Sequence, residues 1–250
     1  MNEWKFFEEN GYIISKQFET PAVCASLKNE LEAAIAEDSR KFSSVFDKGM
    51  VHNCFLRGDS MLKHLNKNEL RFYLDNLLCK NAIVYAYQSS SLPPNSDNYG
   101  ARIHVDCPRF IEGYRTNLGY ILALDDFTTD NGGTFVLPGS HKSPTFPSDQ
   151  EFDERAIQLT CNKGDAIFFD ARLFHKAGFN HTNEWRHAIT INFCRPFMRS
   201  RFDFPKMLDL QNTAMSSSAK KFLGNDVRMP TNLDDFYLPE NERLYKAGQE

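Results

Sequence analysis

Over the first eighty residues the apolar positions recur mostly at helical spacing. Trp4 to Asn10 reads as a short helix stopped by Gly11, and Tyr12-Ile13-Ile14 follows as an extended segment. Thr20 offers a capping oxygen and Pro21 the fixed φ suited to a first helical position. With Leu27, Leu31, Ala34 and Ile35 on one face, the pattern predicts a helix over 21–37. Leu70, Tyr73, Leu74, Leu77 and Leu78 predict a second over 69–79. Asn81 to Gln88 (NAIVYAYQ) reads as a buried strand, and SSSLPPNSDNYG after it as a polar, proline-containing loop.

From 100 to 197 the period shortens to that of strands. Strands are predicted at 101–106, 117–124, 134–138, 156–161, 166–170, 173–177 and 186–195. Turn clusters at Asp130-Asn131-Gly132-Gly133, Pro138-Gly139-Ser140 and Lys163-Gly164-Asp165 separate several of them. Many short strands at this spacing imply a sandwich or barrel, with a jelly roll as the commonest solution. The last fifty residues return to helix and loop, with a helix over 216–223 and an irregular stretch over 230–239. The expectation is one mainly β domain over 1–250. It comprises a helical part (1–80), a β core (about 81–197) and a helix-and-loop part (198–250).

Composition narrows the class without naming a chemistry. The chain has 250 residues, 41% hydrophobic and 25% charged, which excludes wholesale disorder. A formal net charge of -4 gives no footprint for nucleic acid or an anionic membrane. The six cysteines include no CxxC pair, which argues against a zinc ribbon, a thioredoxin-type couple or a disulfide framework and fits a reducing compartment. No stretch approaches the roughly 20 apolar residues of a membrane span. The polar, acidic start MNEWKFFEENGY is unlike a signal peptide, and the final Ala-Gly-Gln-Glu carries no peroxisomal address. A cytoplasmic protein is expected, and no feature of the sequence sets an oligomeric state.

The chemistry lies in His104-Val105-Asp106, His175 and Arg186. Residues i and i+2 of a strand share a face, so His104 and Asp106 can stand side by side. A histidine from a distant strand, His175, would complete two imidazoles and a carboxylate on one face of a metal, the geometry that suits non-haem Fe(II). On spacing alone, a hydrogen-bonded His-Asp pair at a strand edge is the favoured reading. In the strand from 186, Arg186, Ala188, Thr190 and Asn192 share one face, and Ile189, Ile191 and Phe193 the other. The small and polar side then faces a cavity. An arginine there needs a partner, which a dicarboxylate ligand would supply. His52, His64, His181 and His187 read as ordinary surface or partly buried histidines, and His141 as a structural residue. Arg109, Arg115 and Arg195 read as loop or strand-end residues. Cys107 points away from the metal by alternation.

These residues resemble the phytanoyl-CoA dioxygenase family of Fe(II)- and 2-oxoglutarate-dependent oxygenases. The resemblance is carried by His104-Val-Asp106, Asp130-Asn-Gly-Gly-Thr-Phe-Val-Leu-Pro-Gly-Ser-His141, Lys163-Gly-Asp165, His175 and Arg186. Phe6-Phe7-Glu-Glu-Asn-Gly-Tyr12 and Phe222-Leu-Gly224 extend it over most of the chain. It implies a double-stranded β-helix (a cupin-like jelly roll) with iron on His104, Asp106 and His175. It also implies that Arg186 grips the distal carboxylate of 2-oxoglutarate and that Ile121 packs against this cosubstrate. Asn117 and Thr190 are further candidates for hydrogen bonds to cosubstrate or substrate.

Two positions depart from some relatives. The strand before the metal motif carries Tyr85, Tyr87 and Gln88, leaving the proximal carboxylate contact open, and Ala177 stands where a serine can occur. The implied activity is hydroxylation of a small organic molecule, a secondary metabolite or an amino-acid-like compound. Dioxygen is consumed, succinate and carbon dioxide are released, and ascorbate is a candidate stimulant. Asp106 argues against halogenation, since related halogenases vacate that position for halide; desaturation, cyclisation and epoxidation stay open. No dense basic cluster awaits the phosphates of an acyl-CoA. Residues around 40–60, 90–100 and 107–116 are expected to form the pocket rim. The alternatives are a zinc- or manganese-dependent jelly-roll enzyme and a non-catalytic binding module.

Overall fold

The structure is a computed structural model that describes residues 2–38, 49–210 and 215–243; the expected rim segment over 40–48 lies outside them. Helix α1 (Glu3–Asn10) ends on Gly11 in the left-handed region, and strand β1 (Tyr12–Ser15) follows. Helix α2 (Pro21–Glu37) starts under the Thr20 cap, whose Oγ1 accepts from the Val23 N–H. Helices α3 (Asp59–His64) and α4 (Asn68–Leu77) complete the N-terminal layer.

The β core contains β2 (Ile83–Ser89), β3 (Asn117–Ala123), β4 (Phe135–Val136), β5 (Ile157–Gln158), β6 (Ala166–Asp170), β7 (His175–Lys176) and β8 (Ala188–Cys194), with helix α5 (Asp149–Arg155) between β4 and β5. All their pairings are antiparallel. One sheet has the order β1-β6-β3-β8-β2 and the other β5-β4-β7. β1 thus belongs to the larger sheet, although it lies in the part read as helical. Short helices α6 (Phe204–Met207), α7 (Ser217–Phe222) and α8 (Leu233–Phe236) follow.

Alternation along the strands separates two cores. Leu118, Tyr120, Leu122, Phe168, Ile189, Ile191 and Phe193 face the helices and pack with Leu27, Leu31, Leu70 and Leu74. Ile121, Ala123, Ile167, Phe169 and Ala188 face the smaller sheet and pack with Val136, Phe127 and Leu159. The result is a mainly β jelly roll with flanking helices, whose inner face between the sheets carries the polar residues of interest.

Two expectations need correction. The segment 101–106 is no strand: the 3-10 turn Tyr99–Ala101 ends at its first residue, and its one β feature is the single bridge between His104 and His175. The stretch 230–239 includes α8, capped by the Asn232 side chain accepting from the Asp235 N–H.

Two features of this frame are testable. Asp165 accepts from Lys16 Nζ at 2.8 Å, the Gln17 N–H at 2.9 Å and the Asn162 N–H at 2.8 Å. Burial opposes its charge, but these donors prevail and hold the carboxyl below the ordinary aspartate range. Its stabilising contribution is therefore complete above the unfolded pKa of about 3.9 and is lost as pH falls through the lower folded value. Asp165→Asn should flatten that acid limb in denaturant titrations run from pH 6 downward. A Cβ on Gly119 would stand 2.1 Å from the Phe169 ring. Gly119→Ala should cost about 1–3 kcal/mol by the same measurement.

Candidate metal and dicarboxylate site

His104 and His175 are joined by a reciprocal backbone pair, each N–H to the other's carbonyl at 3.0 Å. Their rings stand 4.2 Å apart between centroids. His104 Nδ1 meets the Arg102 carbonyl at 2.7 Å, and His175 Nδ1 meets the Leu173 carbonyl at 2.9 Å. A carbonyl can only accept, so each Nδ1 carries the proton and each Nε2 presents a lone pair, the tautomer a metal requires. Burial, with His104 pushing the same way, lowers the His175 pKa to about 4, so that ring is neutral near pH 7.

Asp106 Oδ1 lies 3.7 Å from His104 Nε2 and 3.8 Å from His175 Nε2. Both gaps are too long for a hydrogen bond and leave room for a cation among three converging donors. These residues form the one set of three or more His, Cys, Asp or Glu side chains among the described residues whose ligand atoms gather within 4.8 Å. The donors fit a two-histidine, one-carboxylate iron site. Asp106 reaches this position from a coil rather than by strand alternation, and its Oδ2 accepts from Asn192 Nδ2 at 3.2 Å. Cys107 turns away, its Sγ 3.5 Å from Thr116 Oγ1.

Arg186 is 1% exposed, and its guanidinium lies 4.2 Å over the Phe127 ring. Its Nη1 donates to the Ser90 carbonyl at 3.1 Å and its Nη2 to the Gly132 carbonyl at 3.3 Å. Burial lowers its pKa to about 10, so it remains a cation at neutral pH. Among the described residues no carboxylate lies within ion-pairing distance of it, Asp125 acting only from further away, and its Nε has no hydrogen-bond partner. The Asn-Gly-Gly motif explains one of its contacts. Asn131 Oδ1 accepts from the Thr128 N–H at 2.8 Å and its amide donates to the Asp126 carbonyl at 2.7 Å, which folds the loop. Gly132 sits at φ +85°, where a Cβ would fall 2.4 Å from Leu92 and 2.7 Å from the Gly178 carbonyl oxygen.

Other buried polar atoms on the same sheet face are also unpaired: Gln88 Oε1, Asn117 Oδ1 and Thr190 Oγ1. Gln88 is directly across from Thr190, and Ile121 flanks Thr190 on the other side. Native proteins rarely leave such atoms unsatisfied, so the cluster has the character of a ligand's contact surface.

The structure brings His104, Asp106 and His175 together and puts Arg186, Asn117, Ile121 and Thr190 on the inner sheet face. Asn192, which alternation places on the cavity side without a role, joins them, and so does Gln88, which the sequence does not assign to this face. Gln88 is there because of a register shift between Val84 and Ala86, which leaves Tyr85 out of the pairing and turns Tyr87 into the helix-side core. Without that shift Tyr87 would oppose Thr190 and Gln88 would point to the helices. Alternation alone cannot show it; the shared polarity of Thr190 and Asn192 is the one hint in the sequence.

His64 and His187 are corrected from surface or partly buried to buried. His64 bridges Glu19 Oε1 at 2.9 Å and Tyr120 Oη at 2.8 Å, and His187 Nδ1 lies 3.0 Å from Ser91 Oγ. Arg115, in a loop as expected, is a half-buried anchor, donating to Asp170 Oδ2 at 2.7 Å. His141 packs against Gly11, and Ser140 Oγ accepts from the Phe174 N–H at 3.0 Å, so the Pro-Gly-Ser-His block steadies the residue before His175.

The family described as Phytanoyl-CoA dioxygenase (PhyH) matches residues 7–188. The uncharacterized protein Rv1501 of Mycobacterium tuberculosis is 33% identical over 187 residues, covering 72% of this chain and 68% of its own. Among solved structures, EvdMO1 superposes with a TM-score of 0.65 at 22% identity over 77% of this chain, which spans about half (49%) of EvdMO1. The epimerase SnoN, determined with Fe3+, alpha-ketoglutarate and nogalamycin RO, gives a TM-score of 0.65 at 19% identity, covering 76% of this chain and 81% of its own.

Substituting alanine for His104, Asp106 or His175 should abolish saturable Co(II) binding in an absorption titration. Cys107→Ala should leave the titration curve unchanged.

Proposed function

The chain belongs to the phytanoyl-CoA dioxygenase family of Fe(II)- and 2-oxoglutarate-dependent oxygenases, and from that premise we propose that it hydroxylates a small organic molecule. The observation that carries the reading is Arg186, a buried cation with no carboxylate in ion-pair contact among the described residues. His104, Asp106 and His175 would hold the iron, each histidine locked in the ligating tautomer by a backbone carbonyl. When bound, iron and 2-oxoglutarate couple reduction of dioxygen to decarboxylation of 2-oxoglutarate, giving succinate, carbon dioxide and an oxidised substrate.

Arg186 would receive the distal carboxylate in a charge-assisted bond, while the Ser90 and Gly132 carbonyls fix the orientation of its planar fork. Thr190 supplies a polar contact on the same face, and Gln88 is the candidate for the proximal carboxylate. Ile121 and Phe127 wall the site with apolar surface and exclude water from the charge pair. Asp106 occupies the carboxylate position, which favours hydroxylation over halogenation.

A secondary metabolite or amino-acid-like substrate is favoured over an acyl-CoA, because the sequence holds no dense basic cluster to meet its phosphates. The likeness to SnoN, whose structure contains nogalamycin RO, points in the same direction. No described helix is long and apolar enough to cross a membrane.

The test is succinate release from purified protein with Fe(II), 2-oxoglutarate, oxygen and ascorbate. Slow turnover without substrate is expected, raised by ascorbate, absent in His175→Ala and reduced in Arg186→Ala by roughly a hundredfold at subsaturating 2-oxoglutarate. No succinate with a panel of candidate substrates, together with no 2-oxoglutarate binding in the presence of metal, would overturn the reading in favour of a zinc or manganese enzyme.

A further inference from the structure

Asp106 has to present one oxygen to the metal from a coil segment that no sheet ladder orients. Its Oδ2 is 3.2 Å from Asn192 Nδ2, and Asn192 Oδ1 is 2.9 Å from Asn117 Nδ2. Both asparagines are buried on the inner face of the larger sheet, Asn117 on β3 and Asn192 on β8. The direction of this chain is fixed by chemistry. An ionised carboxylate only accepts, so Asn192 must turn its NH2 to Asp106 and its carbonyl to Asn117, which in turn must donate. Asn117 Oδ1 is then left without a partner, as observed.

We propose that Asn117 and Asn192 form a two-amide relay that positions the metal-binding carboxylate, committing Oδ2 to hydrogen bonding and leaving Oδ1 for the metal. Asn192 and Asn117 are positioning residues, and the inference rests on reading His104, Asp106 and His175 as the metal ligands. Asn192 holds Asp106 to one oxygen, so the carboxylate does not close over the metal with both. Asn117 acts one step further away, by preventing the Asn192 amide from flipping. Asn117 thus serves the metal carboxylate, a different role from the cosubstrate contact expected of it.

Metal binding without cosubstrate or turnover separates this relay from a purely structural or cosubstrate-binding role. Co(II) titrations monitored by absorption would compare wild type, Asn117→Ala, Asn192→Ala, Asn192→Asp and the double alanine variant, with melting temperatures recorded for each. Asn192→Ala should weaken Co(II) binding about 10–100-fold. Asn192→Asp, similar in shape but stripped of the donor, should not restore it. Asn117→Ala should weaken it less, and its effect should vanish in the Asn192→Ala background, the mark of two residues acting through one route. Asn117→Ala carries the same test if Asn192→Ala lowers the yield of folded protein. Unchanged Co(II) affinity in folded Asn192→Ala, or an Asn117→Ala effect confined to 2-oxoglutarate affinity, would overturn the relay. Failure of wild type itself to bind Co(II) would instead defeat the metal-site reading on which the relay rests.

Discussion

Arg186 buries a full positive charge in the wall of the β core, against two carbonyl oxygens and an aromatic face. An ion removed from water without a counter-ion costs several kcal/mol even after relaxation. The fold retains it in spite of that cost, and further along the same sheet face Gln88 and Thr190 carry buried polar atoms that lack partners. A dicarboxylate would relieve these conditions together, one carboxylate meeting the guanidinium and the other end directed toward the His104, Asp106 and His175 cluster.

Much of the remaining structure can be understood as support for that face. The larger sheet is covered on its outer side by α2, α3 and α4, so its inner side can carry polar residues without loss of the main core. Gly119 leaves room for the Phe169 ring, which stands 4.9 Å from the His175 ring. The Asn-Gly-Gly loop delivers the Gly132 carbonyl to Arg186, and the Pro-Gly-Ser turn holds the backbone next to His175. The two glycine-containing blocks therefore steady opposite ends of the site while making no direct contribution to the donor set.

Strand alternation makes one wall of the site legible from sequence. From 186 onward, small and polar residues alternate with Ile189, Ile191 and Phe193, and the structure divides them between the inner face and the helix-side core in that way. The segment 166–170, a short apolar run behind the Lys163-Gly164-Asp165 turn, and the 17-residue helix over 21–37, opened by Thr20-Pro21, are equally readable. Asp106 reaches the site by a route that alternation misdescribes: it lies in a coil and is tethered across the molecule by Asn192. Gln88 is hidden by a one-residue register shift, which reverses faces and leaves no local signature in the residues that cause it. The burial of His64 and His187 escapes a reading of the sequence because it depends on partners far along the chain, Glu19 with Tyr120 and Ser91 respectively.

The proposed role of Arg186 as a carboxylate receptor is tested most directly by calorimetric titration of the metal-loaded protein with 2-oxoglutarate and with 2-oxobutyrate, which lacks the distal carboxylate. Wild type should bind 2-oxoglutarate at least about thirtyfold more tightly, the loss expected when one partner of a buried charge pair is removed. That preference should collapse in Arg186→Met. Equal affinity of wild type for the two ligands, or an undiminished preference in Arg186→Met, would contradict it.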